Sequence, residues 1–183
     1  MFRKLSVAMA GLLMMGGVAR AETVERKDLQ VSGDIAAAVM HYSHFTVFDD
    51  IDAVIDNGVV TLTGKVTMPY KSDDIERRVS KVDGVREVRN AITVLPVSSY
   101  DDQLRVKVAR SIYGNPNFWY YGIGANPSIH IIVEHGRVTL KGIVNGEADR
   151  RMAGLIAERF PALSVTNDLR TTVEVRDTGA QSH

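Results

Sequence analysis

Residues 54–66 read Val-Ile-Asp-Asn-Gly-Val-Val-Thr-Leu-Thr-Gly-Lys-Val, and residues 132–144 read Ile-Val-Glu-His-Gly-Arg-Val-Thr-Leu-Lys-Gly-Ile-Val. The two stretches share two glycines, two valines, a threonine and a leucine at a constant offset of 78 residues. Each copy is followed by a helical pattern and then by a second apolar run. A chain of 183 residues with this internal repeat is therefore predicted to form two small modules with separate cores.

Each copy of the repeat predicts a β-hairpin. Asn57-Gly58 lies between two apolar runs, and both central positions of a type I′ turn need a positive φ, which Asn and Gly tolerate best. His135-Gly136 occupies the same place in copy two. Alternation of apolar and polar residues after each turn places one face of the sheet against a core. The predicted hairpin strands cover residues 51–55, 59–66, 129–134 and 137–144.

Apolar residues at helical spacing flank each hairpin. In copy one, Ser32 is predicted to cap a helix whose core-facing stripe contains Ile35, Val39 and Tyr42. The other predicted elements are a helix from Ser72 to Gly84 and a strand at 85–94, then helices at 102–113 and 147–159 and a strand at 163–175. The order α-β-β-α-β predicts an α+β fold of two tandem modules, each a three-stranded sheet with two helices on one face.

The N-terminus has the pattern of a secretory signal peptide. Phe2-Arg3-Lys4 is basic, residues 5–18 are apolar, and Ala19-Arg20-Ala21 is an A-x-A cleavage site. The apolar run is too short for a membrane-spanning helix, which needs about 20 residues. We expect a periplasmic protein that is soluble after cleavage. The predicted organisation is a signal peptide at 1–21, module one at 28–96, a linker at 97–100, module two at 101–176 and a disordered tail at 177–183.

Composition excludes several classes of function. The chain has no cysteine, so disulfides, thiol catalysis and cysteine metal sites are absent. Residues 22–97 carry 13 acidic and 9 basic residues, a net charge of −4, whereas residues 98–183 carry 9 and 10, a net charge of +1. This balance gives no reason to expect nucleic-acid binding. Module two is the better suited of the two to an anionic surface.

In this element order, two motifs resemble the BON domain family. They are the N-G-x-V-x-L-x-G-x-V hairpin and the closing G-V-x-x-V-x-N at 84–90. Copy two departs from the family pattern at 160–163, where a glycine turn is expected. Two copies behind a signal peptide resemble the periplasmic, osmotically inducible members with two BON domains. The resemblance implies a non-enzymatic module linked to phospholipid surfaces, envelope stress and protein quality control, with no catalytic residues and no cofactor.

Copy two contains an aromatic segment that copy one lacks. When Asp34 is matched to Asp102, copy two is longer by about ten residues before its hairpin. The extra segment, residues 114–128, holds Phe-Trp-Tyr-Tyr at 118–121 between flanks rich in Gly, Asn and Pro. Such a cluster is costly to leave in water, and three interpretations remain open. It folds back as additional core, inserts at a membrane interface, or binds a partner protein.

The helix before this segment favours the membrane interpretation. Val106, Arg110 and Tyr113 are predicted to share its outward face, with Lys107 nearby, and could contact lipid tails and headgroup phosphates together. The predicted contact residues are Val106, Lys107, Arg110, Tyr113, Phe118, Trp119, Tyr120, Tyr121 and Ile123. The expected partner is an anionic phospholipid membrane surface. The alternative is a periplasmic chaperone or adaptor that uses the same aromatics on unfolded or outer-membrane proteins.

Other polar clusters predict no chemistry. His41 and His44 have a spacing that could share a metal, but no third ligand has a recognisable position, so helix-end solvation is favoured. His130 and His135 are interpreted as turn or surface residues. The acidic group at 49–56 lacks a calcium-loop pattern and is interpreted as a solvated strand edge. No nucleophile elbow, phosphate loop or zinc-binding helix occurs, so no catalytic, cofactor or metal residue is predicted.

Overall fold

The computed structural model describes residues 18–123 and 127–180. Within them the chain forms two α+β modules of the same element order, which confirms the predicted fold class. Module one consists of α1 (Val18–Met40), β1 (Asp50–Asp56), β2 (Val59–Val66), α2 (Pro69–Val79) and β3 (Glu87–Val94). Module two consists of α3 (Ser99–Tyr113), a short 3₁₀ helix (Trp119–Gly122), β4 (Ile129–Glu134), β5 (Arg137–Val144), α4 (Glu147–Ala157) and β6 (Ser164–Thr171), and is followed by α5 (Thr172–Ala180).

Each sheet has the second hairpin strand at its centre. β2 pairs antiparallel with β1 and parallel with β3, and β5 pairs in the same way with β4 and β6. Parallel neighbours need a crossover connection, which α2 and α4 supply. The two helices of each module pack against each other and against the sheet. The buried residues include Ile35, Leu62, Ile75 and Val79 in module one and Val108, Ile112, Leu140 and Ile156 in module two.

The repeated glycines are explained by backbone geometry. At the two hairpin turns, Asn57 and Gly58 have φ of 50° and 78°, and His135 and Gly136 have φ of 49° and 74°, as the predicted turns require. Gly64 has a φ of 123°, and a Cβ there would lie 2.1 Å from a carbonyl oxygen of β1. Side chains are therefore excluded at this position, which accounts for the second glycine of the motif.

The first helix is longer than the sequence predicted. α1 begins at Val18, so Ser32 lies inside the helix and the predicted N-cap at Ser32 is wrong. Serine is also tolerated inside a helix at a modest cost, and helical residues precede Ser32 without a break. Most of the predicted signal peptide, residues 1–17, lies outside the described residues. In module two, the helix begins earlier than predicted because the Ser98 hydroxyl accepts the Asp101 N–H at 3.2 Å.

The first helices of the two modules align at an offset of 73, so the match of Asp34 to Asp102 is wrong. The buried stripe consists of Val31, Ile35 and Val39 in α1 and of Leu104, Val108 and Ile112 in α3. Both helices also end at this offset, at Met40 and Tyr113. Because the hairpins align at an offset of 78, copy two carries five extra residues before its hairpin, not about ten.

An aspartate of each first helix holds the hairpin turn of its module. The carboxylate of buried Asp101 accepts the N–H groups of His135 at 2.9 Å and Gly136 at 2.8 Å. Asp28 stands at the matching position and accepts the N–H of Asn57 at 3.4 Å. These contacts fix the helix to the turn and support the corrected alignment independently of the core.

The C-terminal end of module two also differs from the prediction. β6 ends at Thr171 rather than 175, and α5 covers residues 177–180 of the segment that was predicted to be disordered. Glu174 accepts the N–H of Thr171 at 2.7 Å and donates its own N–H to the Thr171 hydroxyl at 3.2 Å. This reciprocal capping box, readable as Thr-x-x-Glu, stops the strand and starts the helix.

Asp49 is buried and is not part of a solvated strand edge, which corrects that interpretation. Its carboxylate accepts the N–H of Thr46 and of Thr67, each at 2.8 Å, and the ammonium of buried Lys71 at 2.6 Å. Burial alone would raise the pKa of Asp49, but the hydrogen bonds from Lys71, Thr67 and Thr46 outweigh it and hold that pKa below its ordinary value. Asp49 thus anchors the connector between α1 and β1.

The next acidic residues of the same group join the two modules. The Lys141 ammonium lies 2.6 Å from Asp50 and 3.3 Å from Asp52, and Lys65 pairs with Glu134. Burial would lower the pKa of Lys141, whereas these aspartates raise it by a larger amount. The acidic face of module one therefore meets basic groups of module two.

Backbone and apolar contacts accompany these ion pairs. The Val47 carbonyl accepts the N–H of Ile131 on β4 at 2.7 Å. Phe48 packs against the core of module two. His130, which was interpreted as a turn or surface residue, is half-buried, and its Nδ1 lies 2.6 Å from the carbonyl oxygen of Asp49. The connector of module one is thus also the docking segment for module two.

We expect Asp49→Ala to lower the free energy of unfolding by about 3–5 kcal/mol, because Lys71 would remain buried without its counter-charge. Urea denaturation followed by circular dichroism measures this loss. Asp52→Ala, at an exposed ion pair, should cost about 1 kcal/mol or less. Asp49→Ala with Lys71→Met should recover part of the loss. Equal losses in the Asp49 and Asp52 single variants would contradict the anchor role.

Candidate functional site

The aromatic segment of module two is divided between its core and its surface. The Phe118 side chain is fully buried, and Tyr121 is buried beside it with ring centroids 5.8 Å apart. Both belong to the main core cluster of module two. The expectation that Phe118 and Tyr121 contact a lipid or partner is therefore wrong, because these two residues supply additional core.

The Tyr121 hydroxyl anchors the segment to the start of α4. It accepts the Asn145 N–H at 2.7 Å and donates to a carboxylate oxygen of Asp149 at 2.6 Å. Burial raises the pKa of Tyr121, and the nearby Asp149 carboxylate raises it further. The hydroxyl is therefore protonated at neutral pH and holds both hydrogen bonds.

The predicted outward face of α3 is only partly exposed. Tyr113 is half-buried, its hydroxyl donates to the Ile129 carbonyl, and a Cβ at Gly122 would lie 3.0 Å from its ring. Burial raises the pKa of Tyr113. Val106 is also half-buried, whereas Lys107 and Arg110 are exposed. The prediction that Val106 and Tyr113 lie on a fully exposed face is therefore wrong. Tyr113 packs against the core of module two, and Val106 is half-buried.

Three residues of the segment point outward. Trp119 is 60% exposed, Ile123 is 62% exposed, and Tyr120 is exposed to a lesser degree. The Tyr120 ring lies 4.2 Å from the Tyr121 ring, and its hydroxyl donates to Asp149 at 3.1 Å. The buried pair and this hydrogen bond hold Trp119 in place at the surface. The 3₁₀ turn thus presents a tryptophan to solvent on a fixed support.

Two apolar residues of α4 adjoin this turn and were not predicted as site residues. Met152 and Leu155 are exposed, the latter by 61%. The Asn117 amide lies 3.5 Å from the Met152 sulfur, which brings the aromatic segment against α4. We call Trp119, Tyr120, Met152 and Leu155 the exposed patch.

The repeat itself contained a signal for the two helix residues. At an offset of 78, Met152 and Leu155 stand where module one has Asp74 and Arg77, an ion pair of 2.8 Å. The outer face of the second helix is therefore charged in module one and apolar in module two. Comparison of the copies at this helix, and not only at the connector, would have found the difference.

Basic residues flank the apolar face of α4. Arg151 lies four residues before Leu155, and positions four apart share a helix face, whereas Arg159 lies in the turn that follows α4. Both are exposed, and neither forms an ion pair with another of the described residues. The Asp149 carboxylate on the same helix accepts hydrogen bonds from the two tyrosine hydroxyls. The chemistry of the surface is therefore apolar with a cationic border.

The other candidate residues form no such surface. His44 makes edge-to-face ring contacts with Tyr42 and Tyr70 at 5.5 Å and 5.9 Å. Among residues 18–123 and 127–180, no group of three or more His, Asp or Glu lies close enough to hold a metal ion. No helix in that part of the chain is long and apolar enough to cross a membrane.

Comparison with known proteins identifies the modules. The family model described as the BON domain matches residues 27–96 and 100–172. No curated protein sequence matches the chain. Among solved structures, CdsD, a structural protein of the type III secretion system of Chlamydia trachomatis, is 12% identical over 84% of this chain and 99% of its own, with a TM-score of 0.28. Its C-terminal domain is 12% identical over 75% and 94%, with a TM-score of 0.27. Scores this low carry no inference.

Phe118→Ala and Trp119→Ala test the inward and outward division of the segment. We expect Phe118→Ala to lower the free energy of unfolding by about 3–5 kcal/mol through the cavity it leaves. Trp119→Ala should change it by about 0.5 kcal/mol or less, as is usual for surface positions. Chemical denaturation followed by circular dichroism gives both values. A larger loss for Trp119→Ala than for Phe118→Ala would contradict the assignment.

Proposed function

The chain belongs to the BON-domain family, whose modules in general bind phospholipid membranes and are non-catalytic, and from that premise we propose a membrane-associating function. In this proposal, the protein is a non-enzymatic component of the periplasm that associates peripherally with anionic phospholipid surfaces. Its role would be in envelope maintenance or in the response to envelope and osmotic stress. The basic start, apolar run and A-x-A site of residues 1–21 support export to that compartment.

The observation that carries the proposal is the exposed patch on module two. A tryptophan has an apolar body and a polar edge, which suits the headgroup level of a bilayer. Trp119 is 60% exposed, its near neighbour Asn117 contacts Met152, and Leu155 follows Met152 by one helical turn. In the proposed contact, the indole and the side chains of Met152 and Leu155 enter the interface together. The support beneath Trp119 is rigid, since Phe118 and Tyr121 are held in the core. Insertion therefore needs no rearrangement of the fold.

The cationic border favours an anionic lipid over a neutral one. Arg151 and Arg159 can reach headgroup phosphates while Leu155 contacts the acyl region, and guanidinium groups bind phosphate with two parallel hydrogen bonds. Exposed Lys107 and Arg110 on α3 add positive charge to the same module. Each basic residue near such a surface contributes about 1 kcal/mol, so binding is reversible and weakens with salt.

Module one lacks the same features. Its second helix presents the Asp74–Arg77 ion pair in place of Met152 and Leu155, and residues 22–97 carry a net charge of −4. A module with a net negative charge is repelled by an anionic membrane. The proposed contact is therefore made by module two alone, with module one docked behind it through Asp50, Asp52 and Lys141.

Vesicle co-sedimentation tests the proposal. The wild-type protein should bind vesicles of phosphatidylcholine that contain phosphatidylglycerol, and should bind pure phosphatidylcholine less. Trp119→Ala with Leu155→Ala should weaken binding by about tenfold or more, since two apolar side chains no longer leave water. The Trp119 emission of the wild type should shift to the blue only when anionic vesicles are added.

The matched control replaces Leu29 and Tyr70 of module one by Ala. These residues are 55% and 49% exposed, and their loss should leave vesicle binding unchanged. Equal effects of the two double variants, or no binding to anionic vesicles by wild type, would refute the proposal. Suppressed aggregation of an unfolded protein without vesicle binding would instead select the chaperone or adaptor function.

A further inference from the structure

The outer edge of β4 in module two is closed by hydrogen bonds. Along this edge, the carbonyl of Ile129 accepts the Tyr113 hydroxyl, and the carbonyl of Val133 accepts the Arg105 guanidinium at 3.2 Å. Between them, the Ile131 N–H donates to the Val47 carbonyl at 2.7 Å. Two side chains of α3 and one carbonyl in a turn of module one thus occupy three of the groups that an edge strand would otherwise present to a partner.

The outer edge of β1 in module one is open. By the shared register, the outward backbone groups of this strand belong to Ile51, Ala53 and Ile55, which match the three β4 residues at an offset of 78. Among the described residues, none forms a hydrogen bond with these outward groups. At an offset of 73, Ser32 and Met40 replace Arg105 and Tyr113. The serine side chain is much shorter than the arginine that it replaces.

A groove runs beside this open edge. It has a volume of about 220 Å³ and lies between α1 and β1, where Ile35, Val39, Phe45 and Ile51 form an apolar floor. Its rim includes Asp50 and Asp52, and the ring of His130 closes the end that adjoins module two. The groove is therefore continuous with the contact between the modules, where the Val47 carbonyl already accepts a hydrogen bond from β4.

We propose that the outer edge of β1 binds an extended peptide segment of a partner protein, one with a large apolar side chain and basic flanking residues. The peptide backbone would pair with Ile51, Ala53 and Ile55 as an added strand, a common mode of recognition. Its apolar side chain would enter the groove between α1 and β1. In module two, the hydrogen bond from Ile131 to the Val47 carbonyl shows that a backbone group of another segment can reach the matching edge.

Charge selects the kind of peptide. Alternate residues of β1 share one face of the sheet, so Asp50, Asp52 and Asp56 form an acidic row beside the edge. Lys141 pairs with the first two, which leaves the row a net charge of −2. Antiparallel pairing of β1 with a second copy of itself would place two such rows side by side, and facing like charges destabilise a strand pair. A segment that carries Lys or Arg at alternate positions complements the row instead.

A labelled peptide and an edge-blocking variant test this site. The probe is a ten-residue fluorescein-labelled peptide that alternates valine and lysine around one central phenylalanine, titrated against the full chain by fluorescence anisotropy. We expect saturable binding that Ala53→Pro weakens by about tenfold or more, because proline removes the outward N–H of the edge strand. Ala53→Ser, which keeps that N–H, should bind like wild type. A peptide with glutamate in place of lysine should bind at least about tenfold more weakly.

Further readouts keep the test decisive. If Ala53→Pro does not fold by circular dichroism, a peptide that is N-methylated at alternate residues replaces it and should fail to bind. Absence of saturable binding, or equal binding by folded Ala53→Pro, would overturn the proposal. So would a dimer in sedimentation that Ala53→Pro dissociates, since β1 would then pair with its own copy. Trp119→Ala with Leu155→Ala should leave peptide binding unchanged, so this site and the membrane surface are tested separately.

Discussion

Each module depends on one buried oxygen from the connector between its first helix and its hairpin. This oxygen lies just before the start of the second helix of the module. It accepts the backbone N–H of Thr67 in module one and of Asn145, matched at an offset of 78, in module two. Module one supplies the carboxylate of Asp49, and module two supplies the hydroxyl of Tyr121. The side chain that completes each anchor follows from this choice, and it is Lys71 in module one and Asp149 in module two.

The choice of anchor decides what the rest of each connector can do. Because the aspartate side chain is short, the connector of module one must lie close to Thr67 and Lys71. Val47 and Phe48 then contact module two. A tyrosine reaches the same point from farther away and allows five more residues. Within that added length, Phe118 and Tyr121 turn inward and Trp119 turns outward. The exposed tryptophan is therefore a consequence of how the longer connector is anchored.

The sequence predicted the features that local chemistry controls. The turns at Asn57-Gly58 and His135-Gly136 follow from backbone sterics, and the core stripes follow from periodicity. The alignment of Asp34 with Asp102 failed because charge at a helix start recurs often, whereas the buried stripe is unique. The sequence could not predict which of residues 118–121 are buried. All four are aromatic, so a turn that buries Phe118 and Tyr121 and exposes Trp119 and Tyr120 has no distinctive pattern. Asp49 was misjudged because its partners Thr67 and Lys71 lie far along the chain.

The docking of the modules explains why their edges differ. Two copies with identical open edges could add to one another without limit, because a head-to-tail strand contact does not close on itself. Arg105, Tyr113 and Val47 remove β4 from such pairing, so β1 is the strand that stays available. The acidic row on β1 then disfavours self-association while it leaves the backbone free. An open edge strand that repels a second copy of itself is suited to a partner of opposite charge. This preference of β1 for a basic partner does not depend on what module two contacts.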